Sequence, residues 1–140
     1  MAMTREEMDQ KMDEHFGFEA RDDVEGVLGT LAQDAIHDIV GWPQGASHKP
    51  KDIRAFYETL YSDLAGEKVT CTKRLYGDNF LIDESVWKGK AIGRPYGLEG
   101  KGRSVEFRLL HVIEFQDDGQ MTREQVWVDL ATLIQQLPQK

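Results

Sequence analysis

The closing third of the chain carries the residues best placed to move a proton. Read with period two, Arg123, Gln125, Trp127 and Asp129 share one strand face, and Thr122, Glu124, Val126, Val128 and Leu130 share the other. Asp129 stands beside Trp127, Val128 and Leu130. A carboxylate in such company must find hydrogen bonds or become hard to ionise, and the second condition suits general acid/base chemistry. Gln125 and Trp127 on the face of Asp129 read as the wall of a small-molecule pocket. The structural alternative is that Asp129 N-caps a closing turn from Leu130 to Gln136. Both readings stand on the sequence alone.

Further candidates lie upstream. His111 falls in the apolar run Leu109–Ile113 of the preceding strand, where an imidazole either transfers protons near neutral pH or serves as a satisfied core group. His37 precedes the loop that holds Trp42 and either reaches a pocket mouth or ends a solvated strand. Asp129, His111 and His37 are therefore the catalytic candidates. Tyr57 and Tyr61, one helical turn apart, either donate to an oxyanion or act as core rings. With Trp42, Trp87, Trp127 and Gln125 they make the candidate substrate-binding set. His15 and His48 have only a structural reading, and Glu106 with Arg108 either anchors an anionic substrate or forms a surface ion pair.

These residues need a frame. Thr4-Arg5-Glu6-Glu7 has the form of a capping box, and Met8, Met12 and Phe16 recur along one face of a first helix that Gly17 should stop. Asp22 or Asp23 can cap a second helix carrying Val24, Val27, Leu28 and Leu31. Residues 35–40 look extended. Pro50 opens a third helix with Ile53, Phe56, Tyr57, Leu60, Tyr61 and Leu64 as its stripe and Gly66 as its stop. The period then changes to two, giving one hairpin around Gly77-Asp78-Asn79 and a second around Asp118-Gly119. Between them, residues 88–102 carry five glycines and read as a mobile loop. Helices followed by antiparallel strands indicate an α+β fold.

Composition narrows the function. At 140 residues the chain fits a single domain, 1–140. With 25 acidic and 17 basic side chains its charge is −8, which opposes binding to nucleic acid. No apolar run is long enough to span a membrane, and the acidic N-terminus does not suit a targeting peptide, so a cytoplasmic location is expected. The lone Cys71 excludes an internal disulfide framework. HExxH, CxxC, Walker A and GxSxG motifs are absent, and nothing asks for a metal or other cofactor. Apolar residues on both faces of Val105–Phe115 suggest a homodimer through the outer sheet face.

The helix containing Ile53-Arg54-Ala55-Phe56-Tyr57, the turn after Phe115, and Trp127-Val128-Asp129 followed by Leu133-Ile134-Gln135-Gln136-Leu137 resemble the SnoaL-like polyketide cyclase branch of the NTF2-like superfamily. The resemblance implies a cone-shaped half-barrel, with three N-terminal helices packed on a curved, mostly antiparallel sheet around an apolar pocket. It matches Asp129 to the closing-strand acid/base of the cyclases, and it places His37 and His111 among pocket polar groups. The expected function is a cofactor-independent, cyclase- or isomerase-like enzyme working alpha to a carbonyl of a small hydrophobic molecule. The alternative is a non-catalytic domain that binds such a ligand or dimerises.

Overall fold

The computed structural model describes residues 2–41 and 45–138. Helix α1 (Arg5–Ala20) begins at the expected capping box: the Glu7 N–H donates to Thr4 Oγ1 (3.1 Å) and the Thr4 N–H to Glu7 Oε1 (2.9 Å). The helix runs through Gly17 rather than stopping there. A glycine inside a helix costs about 1 kcal/mol, and Phe16 and Phe18 on either side pack against the core. Helix α2 (Val24–Gly29) is capped by Asp23, which accepts from the Gly26 N–H at 2.9 Å. Leu31 belongs to strand β1 (Leu31–Val40), not to that helix.

Helix α3 (Pro50–Asp63) opens on Pro50 and buries Ile53 and Tyr57. It ends before Gly66, because β2 (Leu64–Gly77) starts at once and takes that glycine into its ladder with β3 (Phe80–Ala91). The hairpin turn falls at Asp78-Asn79, with Asn79 at φ 57°, a left-handed value that asparagine tolerates. Lys88 to Ala91 are strand and not loop. Their backbone groups pair with β2 on one side and with β4 (Arg103–Phe115) on the other, and two ladders outweigh the glycine signal. Strand β5 (Met121–Val128) and helix α4 (Leu130–Gln135) complete the chain.

The five strands form one open curved sheet in the order β1-β5-β4-β3-β2, antiparallel except for β1 beside β5. Its inner face carries Ala35, His37 and Ile39 of β1, Glu124 and Val126 of β5, Phe107, His111 and Ile113 of β4, and Leu81, Asp83 and Ser85 of β3, all buried. Met8 and Met12 of α1, Val27 of α2 and Ile53 and Tyr57 of α3 close over it. Burying one such apolar side chain contributes about 1.5–3 kcal/mol. An isolated charge in the same layer would cancel several of them, so every acid there needs a partner. Asp83 has one: Arg74 reaches it at 2.8 Å and reaches Asp9 of α1 at 2.8 Å. This bridge fixes α1 along the sheet edge and with it the position of His15.

Candidate active site

A cavity of about 400 Å³ opens between α1, α3 and the inner sheet face. Phe16, Phe56, Leu60, Trp87, Phe107 and Leu109 give it apolar walls, and Glu19, Tyr57, Tyr61, His111 and Glu124 are its principal polar members. This mixture of an apolar lining with few convergent polar groups is what a small-molecule site requires.

The polar members are organised around Glu124, which is buried. Its Oε2 lies 2.9 Å from His15 Nε2, and its Oε1 accepts from the Tyr57 hydroxyl at 2.6 Å. His37 Nε2 stands 3.5 Å from the same Oε1. On the far side of the His15 ring, Nδ1 meets Thr30 Oγ1 at 2.7 Å. Because the Thr30 hydroxyl donates to Val27 O (2.6 Å), it accepts from His15 Nδ1–H. Nε2 faces two carboxylates, Glu124 and, at 3.0 Å, Glu19. Both ring nitrogens therefore face acceptors, which selects the imidazolium. Burial opposes that charge, but Glu124 and Glu19 outweigh it and push His15 up to about 10. Burial likewise opposes ionisation of Glu124, and the His15 imidazolium outweighs it, holding this carboxyl well below its ordinary range.

His111 and His37 behave in the opposite sense. Burial lowers both, and the attraction of Glu19 and Glu124 only partly offsets it, so both are neutral at pH 7. His111 packs edge-on against Phe16 with centroids 5.0 Å apart. Among the described residues, His111 Nδ1, the Tyr61 hydroxyl and Glu19 Oε2 are buried without a hydrogen-bond partner. All three belong to the cavity lining. Burial also raises the Tyr57 and Tyr61 hydroxyls above their ordinary range, so both remain protonated donors.

A SnoaL-like polyketide cyclase family model matches residues 6–137, nearly the whole chain. The chain belongs to this family. Its fold is shared with solved structures of low sequence identity. A candidate SnoaL-like polyketide cyclase from Jannaschia sp. CCS1 superposes with TM-score 0.84 at 14% identity, covering 100% of this chain and 99% of that one. An NTF2-like protein of unknown function from Burkholderia pseudomallei K96243 gives 0.78 at 20% identity, covering 96% and 98%. A candidate isomerase from Bacillus subtilis gives 0.79 at 14%, covering 94% and 92%. No curated protein matches the sequence.

In this SnoaL-like chain the cavity gathers His111, Tyr57, Tyr61 and Trp87, with His37 behind Glu124. Trp42 lies outside the described residues. The strand phase expected for β5 is reversed. Glu124, Val126 and Val128 face the cavity, whereas Gln125, Trp127 and Asp129 do not line it. Gln125 donates to Asp38 (3.1 Å) and Trp127 is 49% exposed. Asp129 N-caps α4, accepting from the Thr132 N–H at 3.4 Å, with Arg108 Nε 4.0 Å away. The physical reason is parity. Ile113 pairs with Glu124 and His111 with Val126, so beyond the register shift next to Met121 the even-numbered residues of β5 share the face of the odd-numbered residues of β4. Replacing Asp129 with Ala is accordingly expected to cost about 1 kcal/mol in urea denaturation and to leave ligand binding in the cavity unchanged.

Sequence pattern does not mark Glu19 and Glu124 as cavity residues, nor the buried His15 behind them as their partner. A signal for His15 and Glu19 existed in their i, i+4 spacing on α1, but nothing local placed them opposite Glu124, which is 109 residues from His15.

Proposed function

We propose that the cavity performs general acid/base chemistry on a small hydrophobic carbonyl compound, with His111 as the group that takes and returns the proton. The observation that carries this reading is a buried, neutral imidazole lining an apolar cavity, with Nδ1 unpartnered among the described residues. Glu124 is a poorer base than its burial suggests, because His15 and Tyr57 already hold its two oxygens. Its charge, with that of Glu19, attracts the imidazolium that forms on His111 and so favours the charged transition state over the neutral ground state.

In this scheme a substrate carbonyl lies against the Tyr61 hydroxyl, and the neighbouring C–H bond faces His111. The imidazole removes the alpha proton, the C–H electron pair moves into the enolate, and Tyr61 donates a hydrogen bond to the enolate oxygen. The imidazolium then returns its proton, either to another carbon, giving isomerisation, or to the oxygen of a second carbonyl attacked by the enolate, giving ring closure. Family membership and neighbours named as cyclase and isomerase are consistent with either outcome. The apolar outer-face residues Ile36 and Trp127, both exposed, are the surface through which a homodimer would form.

The test is proton exchange. Aromatic β-keto esters and cyclic enones incubated with the protein in D2O are expected to lose their alpha-proton NMR signals faster than with buffer alone. A compound that binds in the cavity, shifting the ring resonances of Tyr61 and Trp87 without accelerated exchange across the whole panel, would support the non-catalytic ligand-binding alternative.

A further inference from the structure

We propose that His15, Glu19 and Glu124 form a binding site for one divalent first-row transition metal ion, Zn2+ or Mn2+ in class, on the wall of the cavity. His15 Nε2 and one carboxylate oxygen from each glutamate lie within 4.8 Å of one another. The separations from His15 Nε2, 2.9 Å to Glu124 Oε2 and 3.0 Å to Glu19 Oε2, match donors at right angles on an octahedral ion such as Mn2+, and a tetrahedral Zn2+ with bonds of about 2.1 Å needs them to open to about 3.4 Å.

The surroundings orient these donors as a metal site does. A ligating histidine usually gives its other ring N–H to a fixed acceptor, and His15 Nδ1–H is held by Thr30 Oγ1, itself fixed by its bond to Val27 O. The Tyr57 hydroxyl occupies Glu124 Oε1 and leaves Oε2 directed at His15. Glu19 Oε2 is buried but lacks an aligned donor among the described residues, despite lying 3.0 Å from Nε2. Charge balance points the same way. Two carboxylates and one imidazolium leave one negative charge in a largely buried cluster, whereas two carboxylates, a neutral imidazole and a divalent cation leave none. One imidazole with two carboxylates suits Zn2+ or Mn2+ better than Ca2+, which prefers an all-oxygen shell.

Three protein donors leave positions open toward the cavity that Glu19 and Glu124 line, where water or a ligand oxygen completes the shell. The proposal does not rest on proton transfer at His111, and a His111→Gln chain is expected to retain the metal.

The experiment uses the full-length chain carrying His48→Gln and Cys71→Ser, which removes two exposed donors. After treatment with a chelator and its removal, titration calorimetry with Zn2+ is expected to show one ion per chain. Adding Glu19→Gln is expected to weaken binding by about 100-fold or more, beyond the loss typical of an outer-shell change. Glu19 is partly exposed, so this variant should keep its circular dichroism spectrum. A measurement without the Glu19 change covers a failure of that variant to fold: long-range proton–nitrogen NMR should show one equivalent of Zn2+ shifting His15 Nε2 while its Nδ1 remains protonated. Lack of stoichiometric binding, retention of Zn2+ by the folded Glu19→Gln chain, or an unchanged His15 ring at one equivalent would each overturn the site.

Discussion

Replacing His111 with Gln is expected to lower alpha-proton exchange by about 10²- to 10⁴-fold, the usual contribution of a positioned proton-transfer group. The same change should leave the affinity for a non-exchanging ligand within a few-fold, because the cavity walls are built mainly by other side chains. The pH profile gives an independent reading. Burial holds His111 below its ordinary 6.5, so the acid limb of the wild-type rate should bend below 6.5 and be missing from any residual rate in the variant. Stability should respond in the same window. A histidine kept neutral in the fold but free to protonate when unfolded lowers stability as pH falls below 6.5. His111→Gln should therefore resist acid better than wild type relative to its stability at pH 7. Exchange that survives His111→Gln but is lost in Asp129→Asn would move the chemistry to the opposite sheet face and sink the proposed mechanism.

That contrast shows what the sequence made legible. The α1 capping box, the stripe of α3 and both hairpin turns depend on residues within a few positions of one another, and all were readable. The fate of Lys88–Ala91 was not, because glycine content is a local signal and the two flanking ladders that hold this segment are not. The phase of β5 lay between these cases. A two-residue turn at Asp118-Gly119 implies Ile113 opposite Glu124; the chain instead turns through Asp117-Asp118-Gly119, and a register shift between Glu114 and Phe115 restores that same pairing. The apolar alternation through Phe107, Leu109 and Ile113 marks the odd residues of β4 as inward-facing. Together they put Glu124, not Asp129, on the face of His111. The aromatic beside Asp129 has the look of a pocket wall, but Trp127 is half-exposed on the face away from the cavity. His15 could not have been found in this way: its importance comes from long-range closure of α1 onto β5, and a lone histidine on an apolar helix face carries no mark of its partner.

The largest effect on stability is expected from separating His15 and Glu124. Glu124→Gln removes the anion from a buried pair and leaves the imidazolium with Glu19 as the only close carboxylate among the described residues. Breaking a buried pair from one side costs about 3–5 kcal/mol, which lowers Tm by roughly 10 °C or more in a domain of this size. The pH dependence identifies the cause. Glu124 is held below its ordinary 4.5, so its contribution is full above 4.5 and is lost as pH falls through the lowered value. His15 is raised from 6.5 to about 10, so its contribution is full below 6.5 and is lost as pH rises toward 10. The pair thus contributes most between 4.5 and 6.5. With chelator present, the wild-type advantage over Glu124→Gln in urea midpoint should be flat in that interval and shrink steadily from 6.5 to 10. A constant advantage across the alkaline range would mean that Glu124 acts through the Tyr57 hydrogen bond and packing alone, because neither titrates there. His15 would then be neutral in the folded chain, and the stabilising ion pair at the back of the cavity would have to be abandoned.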